Sequence, residues 1–208
     1  MENAWDFYKP DLSSEYPEVD GPLTISCYFR AVDTCYQRYL ERIENQVRFK
    51  ANSRRRAPRT NYPTLHSQTQ QAQSLDTLDY FVFHSPFTKL VQKSFARLAF
   101  NDFLRNPTNP AYSHLLQFKS LTLEETYFNR DVEKAFMEFT KSSFQQKVGP
   151  SLLLAKQLGN MYCGSVYACF ASALNEIPAQ ELVCIFFFAP LFSKSTHLIP
   201  IISSESAS

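Results

Sequence analysis

The sequence predicts an α/β fold, in which helices cover a β-sheet, and three observations support this fold class. An apolar run at Tyr80–Phe83 passes through His84 into an amphipathic segment over residues 88–104. The same order of strand, turn and helix is predicted again at residues 151–155 and 161–175. Hydrophobic residues make up 44% of the 208 residues and aromatic residues 15%, which is enough to build a packed core.

The remaining elements are predicted from the spacing of apolar side chains. Residues 24–51 carry them at intervals of three and four, as a long amphipathic helix does, and this spacing returns over residues 123–144. Residues 183–192 form a continuous apolar run that predicts a buried strand, and a loose tail is predicted from Ile201 onward. Residues 52–74 contain three consecutive arginines and a long polar stretch, which predicts a solvated loop.

Charge and cysteine content exclude several classes of function. The net charge is +1, so there is no general electrostatic attraction to nucleic acid or to a membrane surface. The longest apolar run is too short to span a bilayer. The five cysteines include no C-x-x-C pair, and we expect reduced thiols in an intracellular protein.

The segment around His84 carries the clearest chemical signal. An imidazole at the carboxyl end of a strand lies where open α/β sheets bind their ligands. Lys89 and Lys93 follow on the next helix, four residues apart and therefore on one face. The free N–H groups of a helix start and two ammonium groups together favour phosphate. This pattern suits a substrate that has a reactive head and a phosphorylated tail.

Several short motifs occur in a fixed order along the chain. They are Asn3-Ala-Trp-Asp-Phe-Tyr-Lys-Pro-Asp11, Ser14-Glu-Tyr-Pro17, Val19-Asp-Gly21, the segment from Phe83 to Ser94, Asn101-Asp-Phe-Leu104, Asp131-Val-Glu-Lys-Ala135 and Gly159-Asn-Met-Tyr162. In this order the motifs closely resemble the carboxyl-terminal half of hydroxymethylglutaryl-CoA synthase. The resemblance covers residues 3–48 and 75–182, and it is specific because several motifs recur together.

The resemblance implies a fold and a reaction. The fold is the carboxyl-terminal half of a thiolase-like fold, an incomplete α/β unit that has a mixed sheet and packed helices. Family members work as homodimers and condense acetyl-CoA with acetoacetyl-CoA to hydroxymethylglutaryl-CoA, a step of isoprenoid synthesis. They acetylate a cysteine, form a carbon–carbon bond and hydrolyse the product from the enzyme. The substrates are CoA thioesters, and no metal or further cofactor is implied.

The resemblance also implies roles for individual residues. His84 corresponds to the histidine that interacts with the acetoacetyl thioester, Asn160 to an asparagine that contacts the substrate, and Asp6 to an aspartate near the active site. The implied CoA- and substrate-binding residues are Thr24, Lys89, Lys93, Asn160 and Tyr162. A neutral imidazole and a carboxamide can each donate a hydrogen bond to a developing oxyanion, which agrees with these roles.

Some parts of the family pattern are not matched in this sequence. The nucleophilic cysteine and the glutamate general acid/base belong to the amino-terminal half, and Cys163 is the present cysteine best placed to replace the nucleophile. We divide the chain into a family domain of residues 1–182, with a basic insert at 49–74, and a non-family tail of residues 183–208. The strand and the glycine-containing loop that the family has after residue 182 are not expected in this tail.

There are two alternatives to a working half of a synthase. The chain could be a catalytically inactive CoA-binding or regulatory partner of a full-length synthase, and we expect the chain alone to be inactive. An initiating ketoacyl synthase is disfavoured by the Asp-Phe-Tyr-Lys-Pro and Gly-Asn-Met-Tyr runs.

The family has cytosolic and mitochondrial members. We expect a cytoplasmic location, which is the broader default, with the mitochondrial matrix as the alternative.

Overall fold

A computed structural model describes residues 7–8, 13, 15–16, 18–53, 75–177, 182–188 and 197–202. The helices are α1 (Gly21–Ser53), α2 (Thr88–Arg105), α3 (Arg130–Phe139), α4 (Lys141–Lys147), α5 (Leu153–Leu158) and α6 (Ser165–Glu176). The strands are β1 (Phe7–Tyr8), β2 (Glu18–Val19), β3 (Tyr80–Phe83), β4 (Leu182–Phe188) and β5 (His197–Ile202). Short 3-10 helices lie at Leu75–Thr77, Pro110–Phe118, Glu124–Thr126, Gly149–Leu152 and Tyr162–Gly164.

The larger sheet of the described residues is mixed and has β4 at its centre. β3 pairs with β4 in parallel, with Tyr80 opposite Ile185 and Phe83 opposite Phe188. β5 pairs with the other edge of β4 in the antiparallel direction. β1 and β2 form a separate antiparallel pair. The predicted α/β class with a mixed sheet and packed helices is therefore confirmed.

Aromatic side chains fill the space between the sheet and the helices. Phe81 meets Phe95 of α2 edge to face, with ring centroids 5.1 Å apart, and Phe100 meets Phe136 of α3 at the same distance. All four side chains are at most 1% exposed. Edge-to-face pairs of this kind add to the stabilisation that burial provides. These contacts pack β3 against α2 and α2 against α3, next to the strand end at which His84 lies.

A buried polar network ties α1 to α2. Arg97 donates to Asp33 from Nε at 2.8 Å, and the Nδ2 group of Asn101 donates to the second oxygen of the same carboxylate, also at 2.8 Å. The residue after Asn101 in α2, Asp102, accepts hydrogen bonds from the hydroxyl of Tyr36 at 2.8 Å and from the N–H of Leu75 at 2.9 Å. Because each buried charge has partners, the network holds the two helices in one register.

The predicted strand at residues 151–155 is wrong, since this segment is helical. Pro150 lies in the first turn of the 3-10 helix Gly149–Leu152, where a missing N–H costs nothing. Leu152 and Ala155 are buried and Leu153 is exposed, a spacing of three that suits a helix. A short apolar run fits both a strand and a buried helix, and here packing against α6 selects the helix.

Two other predicted helices differ from the structure in their extent. Residues 123–144 form a 3-10 turn and two helices, because the side chain of Asn129 caps the start of α3 and the chain leaves helical geometry at Thr140. The helix predicted from Met161 begins at Ser165, after the 3-10 turn Tyr162–Gly164. This delay matters, because two of the predicted site residues, Asn160 and Tyr162, lie in the segment before Ser165.

The buried strand predicted at residues 183–192 is found in part as β4 (Leu182–Phe188), so the expectation that the family's strand is missing after residue 182 is wrong, as is part of the predicted tail. β4 begins at Leu182, and its residues 185–188 pair with β3, so it is part of the sheet. β5 includes Ile201, where the loose tail was expected to begin. Most of the basic insert, residues 54–74, lies outside the described residues.

Candidate functional site

His84 is held at the end of β3 by hydrogen bonds of its main chain. Its N–H donates to the carbonyl of Phe188 at 2.8 Å, and its carbonyl accepts from the hydroxyl of Tyr28 at 2.5 Å. Tyr28 belongs to α1 and meets the ring of Phe188 edge to face, with centroids 5.3 Å apart. Contacts between β3, β4 and α1 therefore fix the main chain from which the imidazole of His84 projects. Tyr28 lies within the helix predicted over residues 24–51, but its spacing did not indicate this contact.

The imidazole of His84 is mostly enclosed, with the residue only 8% exposed. Burial lowers the pKa of His84 below 6.5, since a charged ring would lose its hydration. The ring is therefore neutral near pH 7. Among the described residues, neither Nδ1 of His84 nor the hydroxyl of Ser85 has a hydrogen-bond partner, and both are buried. Buried polar atoms rarely stay unpaired, so this strand end is suited to meet a further polar group.

The two lysines of α2 have different surroundings. The ammonium group of Lys89 is exposed and donates to Gln92 Oε1 at 3.1 Å. Lys93 is half-buried, and its Nζ forms an ion pair with Oε2 of Glu133 in α3 at 3.0 Å. The shared face that the spacing predicted is present, but Glu133 compensates the charge of the second lysine. Glu133 was not singled out in the sequence, because nothing in its spacing relates it to Lys93.

The segment Gly159–Asn160–Met161–Tyr162 forms a tight turn ahead of α6. Gly159 has φ of +75° and Tyr162 has φ of +48°, both in the left-handed region. The Oδ1 atom of Asn160 accepts the N–H of Tyr162 at 2.8 Å and lies 3.5 Å from the hydroxyl of Ser165. Asn160 is exposed, and the ring of Tyr162 is 75% exposed. Both predicted residues therefore lie on the surface of the described part of the chain.

Thr24 lies in the first turn of α1, and Asp6 lies outside the described residues. The Thr24 hydroxyl donates to the carbonyl of Asp20 at 2.9 Å, while the Asp20 carboxylate accepts the N–H of Leu23 at 2.9 Å. The local role of Thr24 is thus to complete a helix start. No hydrogen bond or ion pair between described residues joins His84 to Thr24, Asn160 or either lysine.

The described part of the chain contains neither a metal-binding cluster nor a membrane-spanning helix. No group of three or more His, Cys, Asp or Glu side chains there could hold a metal ion. No helix in the same ranges is long and apolar enough to cross a membrane.

The fold is similar to that of a solved structure with a thiolase-like fold. That structure is described as "MvaS in complex with 3-hydroxy-3-methylglutaryl coenzyme A", and the superposition has a TM-score of 0.53 at 21% sequence identity. It covers 89% of this chain and 37% of the other. The chain thus has the architecture of one part of a thiolase-like fold.

The sequence comparisons identify the family. The family model "Hydroxymethylglutaryl-coenzyme A synthase C terminal" matches residues 1–189, and the chain belongs to this family. It is 47% identical over 176 residues to hydroxymethylglutaryl-CoA synthase A of Dictyostelium discoideum, covering 85% of this chain and 32% of that protein. It is 47% identical over 185 residues to the mitochondrial hydroxymethylglutaryl-CoA synthase of Mus musculus, covering 88% and 33%. The chain therefore spans about a third of the length of the curated relatives it matches.

Proposed function

We propose that this chain supplies the carboxyl-terminal part of a hydroxymethylglutaryl-CoA synthase, which condenses acetyl-CoA with acetoacetyl-CoA. The observation that carries the proposal is the 47% identity to synthases over most of the chain, in which the motif around His84 lies at a strand end. The homodimeric state and the CoA thioester substrates are part of this proposal. The division of the chain into a family domain of residues 1–182 and a tail of residues 183–208 is also part of this proposal.

The geometry of His84 supports a role in binding the acetoacetyl thioester. A neutral imidazole can donate one N–H to a carbonyl oxygen and accept a proton on its other nitrogen. Since the main chain of His84 is fixed from both sides, the ring meets its ligand with little reorganisation. The carboxamide of Asn160 provides a second N–H donor for the same class of oxygen.

Lys89 supports binding of the phosphate-rich part of CoA. Its ammonium group is exposed at the start of α2, where the residue before the helix makes no side-chain cap. Unpaired N–H groups of the first helical turn and a nearby cation both favour an anion. Lys93 can join this site only if its ion pair with Glu133 is exchanged for a phosphate.

The properties of the described cysteines support the inference that the catalytic nucleophile comes from another part of a synthase. Burial raises the pKa of Cys169 to about 11 and also raises the pKa of Cys35. Both changes disfavour the thiolate that attacks an acyl group. Cys163 is exposed in the turn before α6, and no described acid or base is bonded to it.

We propose a cytoplasmic location, with the mitochondrial matrix as the alternative because relatives include mitochondrial enzymes. Fractionation of the source cells, followed by immunoblotting of cytosol and purified mitochondria, distinguishes the two. Recovery of the protein only with mitochondria would overturn the cytoplasmic assignment.

Titration calorimetry of CoA into the 208-residue chain tests the binding part of the proposal. Lys89→Ala should weaken CoA binding about threefold to fivefold, the effect of losing one exposed charge contact. Lys119→Ala, which removes an exposed lysine on a different helix end, should leave the affinity unchanged. Equal affinities for the wild type and Lys89→Ala would remove Lys89 from the site, and no CoA binding by the wild type would contradict the binding role of this chain.

A further inference from the structure

The carboxamide of Asn160 has a defined orientation in the turn before α6. Its Oδ1 atom faces the turn and accepts the N–H of Tyr162 at 2.8 Å. An oxygen in this position directs the NH2 group of the same amide away from the turn. Because Asn160 is exposed, both N–H donors of that group are available to a ligand.

The side chain of Ser165 stabilises this turn by hydrogen bonding. It is fully buried at the start of α6, and its hydroxyl oxygen accepts the N–H of Met161 at 3.0 Å. The single hydroxyl proton is then free for an acceptor, and Oδ1 of Asn160 lies 3.5 Å away in the direction of donation. One hydroxyl therefore connects the main chain of the turn to the oxygen of the amide.

The left-handed conformation of Tyr162 shows that the turn is held by its contacts. A tyrosine at φ of +48° is in a region that side chains with a Cβ atom disfavour. Such a conformation persists when the surrounding hydrogen bonds determine it. Here the bonds to Oδ1 of Asn160 and to the hydroxyl of Ser165 act together with the main-chain bond from Gly164 to Met161 at 2.9 Å.

We propose that Ser165 is a positioning residue that keeps the NH2 group of Asn160 directed at the acyl carbonyl of a bound CoA thioester. This inference rests on the proposed function. Without the hydroxyl, the N–H of Met161 loses its acceptor and Oδ1 loses its second donor. The amide is then held by its bond from Tyr162 alone, so its flipped orientation, which turns an oxygen instead of N–H groups toward the carbonyl, becomes more populated. The phosphate and pantetheine parts of CoA do not depend on this orientation.

Titration calorimetry of acetoacetyl-CoA and of CoA alone into the full chain tests the inference. Ser165→Ala should weaken acetoacetyl-CoA binding about fivefold to tenfold, the usual effect of losing one buried hydrogen bond, and CoA binding less than twofold. Ser172→Ala is the matched control, since this buried serine lies two turns along α6 and bonds to Ala168 and Leu154 instead. We expect it to change both affinities equally, by less than twofold.

The outcomes separate the inference from the proposed function. If Ser165→Ala weakens both ligands equally, or neither, Ser165 does not act through the amide and the inference is wrong. If the wild-type chain binds neither ligand, the proposed function fails. Asn160→Asp keeps an oxygen toward Tyr162 but removes the donor, so it should show the same acyl-specific loss. Adding Ser165→Ala to Asn160→Asp should then cause little further loss.

A measurement on the wild-type chain keeps the inference testable if Ser165→Ala does not fold. The side-chain NH2 group of Asn160 should be as rigid as the backbone in NMR relaxation, with an order parameter of about 0.85. Acetoacetyl-CoA should shift its resonances, and CoA alone should not. A mobile NH2 group in the free protein, with an order parameter below about 0.6, would overturn the inference.

Discussion

His84 is fixed through its main chain, and its imidazole takes no part in either hydrogen bond. The carbonyl of Phe188 accepts one bond and the hydroxyl of Tyr28 donates the other. Because both hydrogen bonds use the main chain, the backbone of His84 is held in place and its ring stays available to a ligand. Burial lowers the pKa of His84, so the free ring is an uncharged donor at neutral pH. The chemistry and the positioning of His84 can therefore be changed separately.

Tyr28→Phe should lower the free energy of unfolding by about 1 to 2 kcal/mol, because the buried carbonyl of His84 loses its donor. Urea denaturation measures this change. Tyr167→Phe is the control, because this tyrosine is 63% exposed and should change stability by less than about 0.5 kcal/mol. If the two variants are equally stable, the hydrogen bond from Tyr28 contributes nothing to the fold.

At the scale of the elements, α2 connects the candidate site to the rest of the core. Its buried face packs against α1, α3 and β3, and its exposed face carries Lys89. Lys93 lies between these two environments and pairs with Glu133 of α3. The position of α3 therefore determines how much positive charge α2 presents to an anion.

Glu133→Gln should strengthen CoA binding about twofold to threefold, because Lys93 loses its counter-charge and becomes available to phosphate. The same substitution should lower the free energy of unfolding by less than about 1 kcal/mol, since the ion pair is partly exposed. Titration calorimetry and urea denaturation measure the two effects. Glu138→Gln is the control, because Glu138 at the end of α3 pairs at 3.3 Å with exposed Lys141 at the start of α4, away from Lys93. Weaker CoA binding by Glu133→Gln would show that Glu133 supports the site.

The elements that could be predicted from the sequence are those with long, regular patterns. The helix predicted over residues 24–51 is found at Gly21–Ser53, and the helix predicted over 88–104 is found at Thr88–Arg105. The helical segment at residues 151–155 was missed because four apolar residues in a row have no period. The motifs directed attention to His84 and Asn160, and their roles stay predictions.

The contacts of the candidate site could not be predicted, because each joins residues far apart in sequence or depends on backbone geometry. Tyr28 reaches His84 from another helix, and Glu133 reaches Lys93 across the α2–α3 contact. Ser165 acts through a turn whose left-handed residue is a tyrosine. Glycine is the usual signal for that conformation, and here it is absent from the position.

At the scale of the whole molecule, one buried carboxylate links the stability of the fold to pH. Asp102 joins α1, α2 and the 3-10 helix at Leu75–Thr77 through its bonds to Tyr36 and Leu75. Burial raises the pKa of Asp102 to about 6, even though both hydrogen bonds and Arg105 act in the opposite direction. The folded chain therefore holds this proton more tightly than the unfolded chain does.

The contribution of Asp102 to the free energy of unfolding should fall as the pH rises from 4 to 6. In that range the unfolded chain releases the proton first, so ionisation favours unfolding by up to roughly 3 kcal/mol. Asp102→Asn has no proton to release, and its difference from the wild type should change across this range and become constant above it. Urea denaturation at half-unit steps of pH measures both proteins. A difference that is independent of pH from 4 to 7 would contradict the raised pKa.

The parallel pairing of β3 with β4 has a consequence for the order in which the protein is made. β3 ends at residue 83, and its partner strand begins only at residue 182. A ribosome therefore completes α1, α2 and α3 long before β3 has a neighbour on which to form hydrogen bonds. Contacts between such distant segments close slowly, because the intervening chain loses entropy when they form. The backbone of His84, which needs Phe188, is thus among the last parts of the described fold to reach its final position.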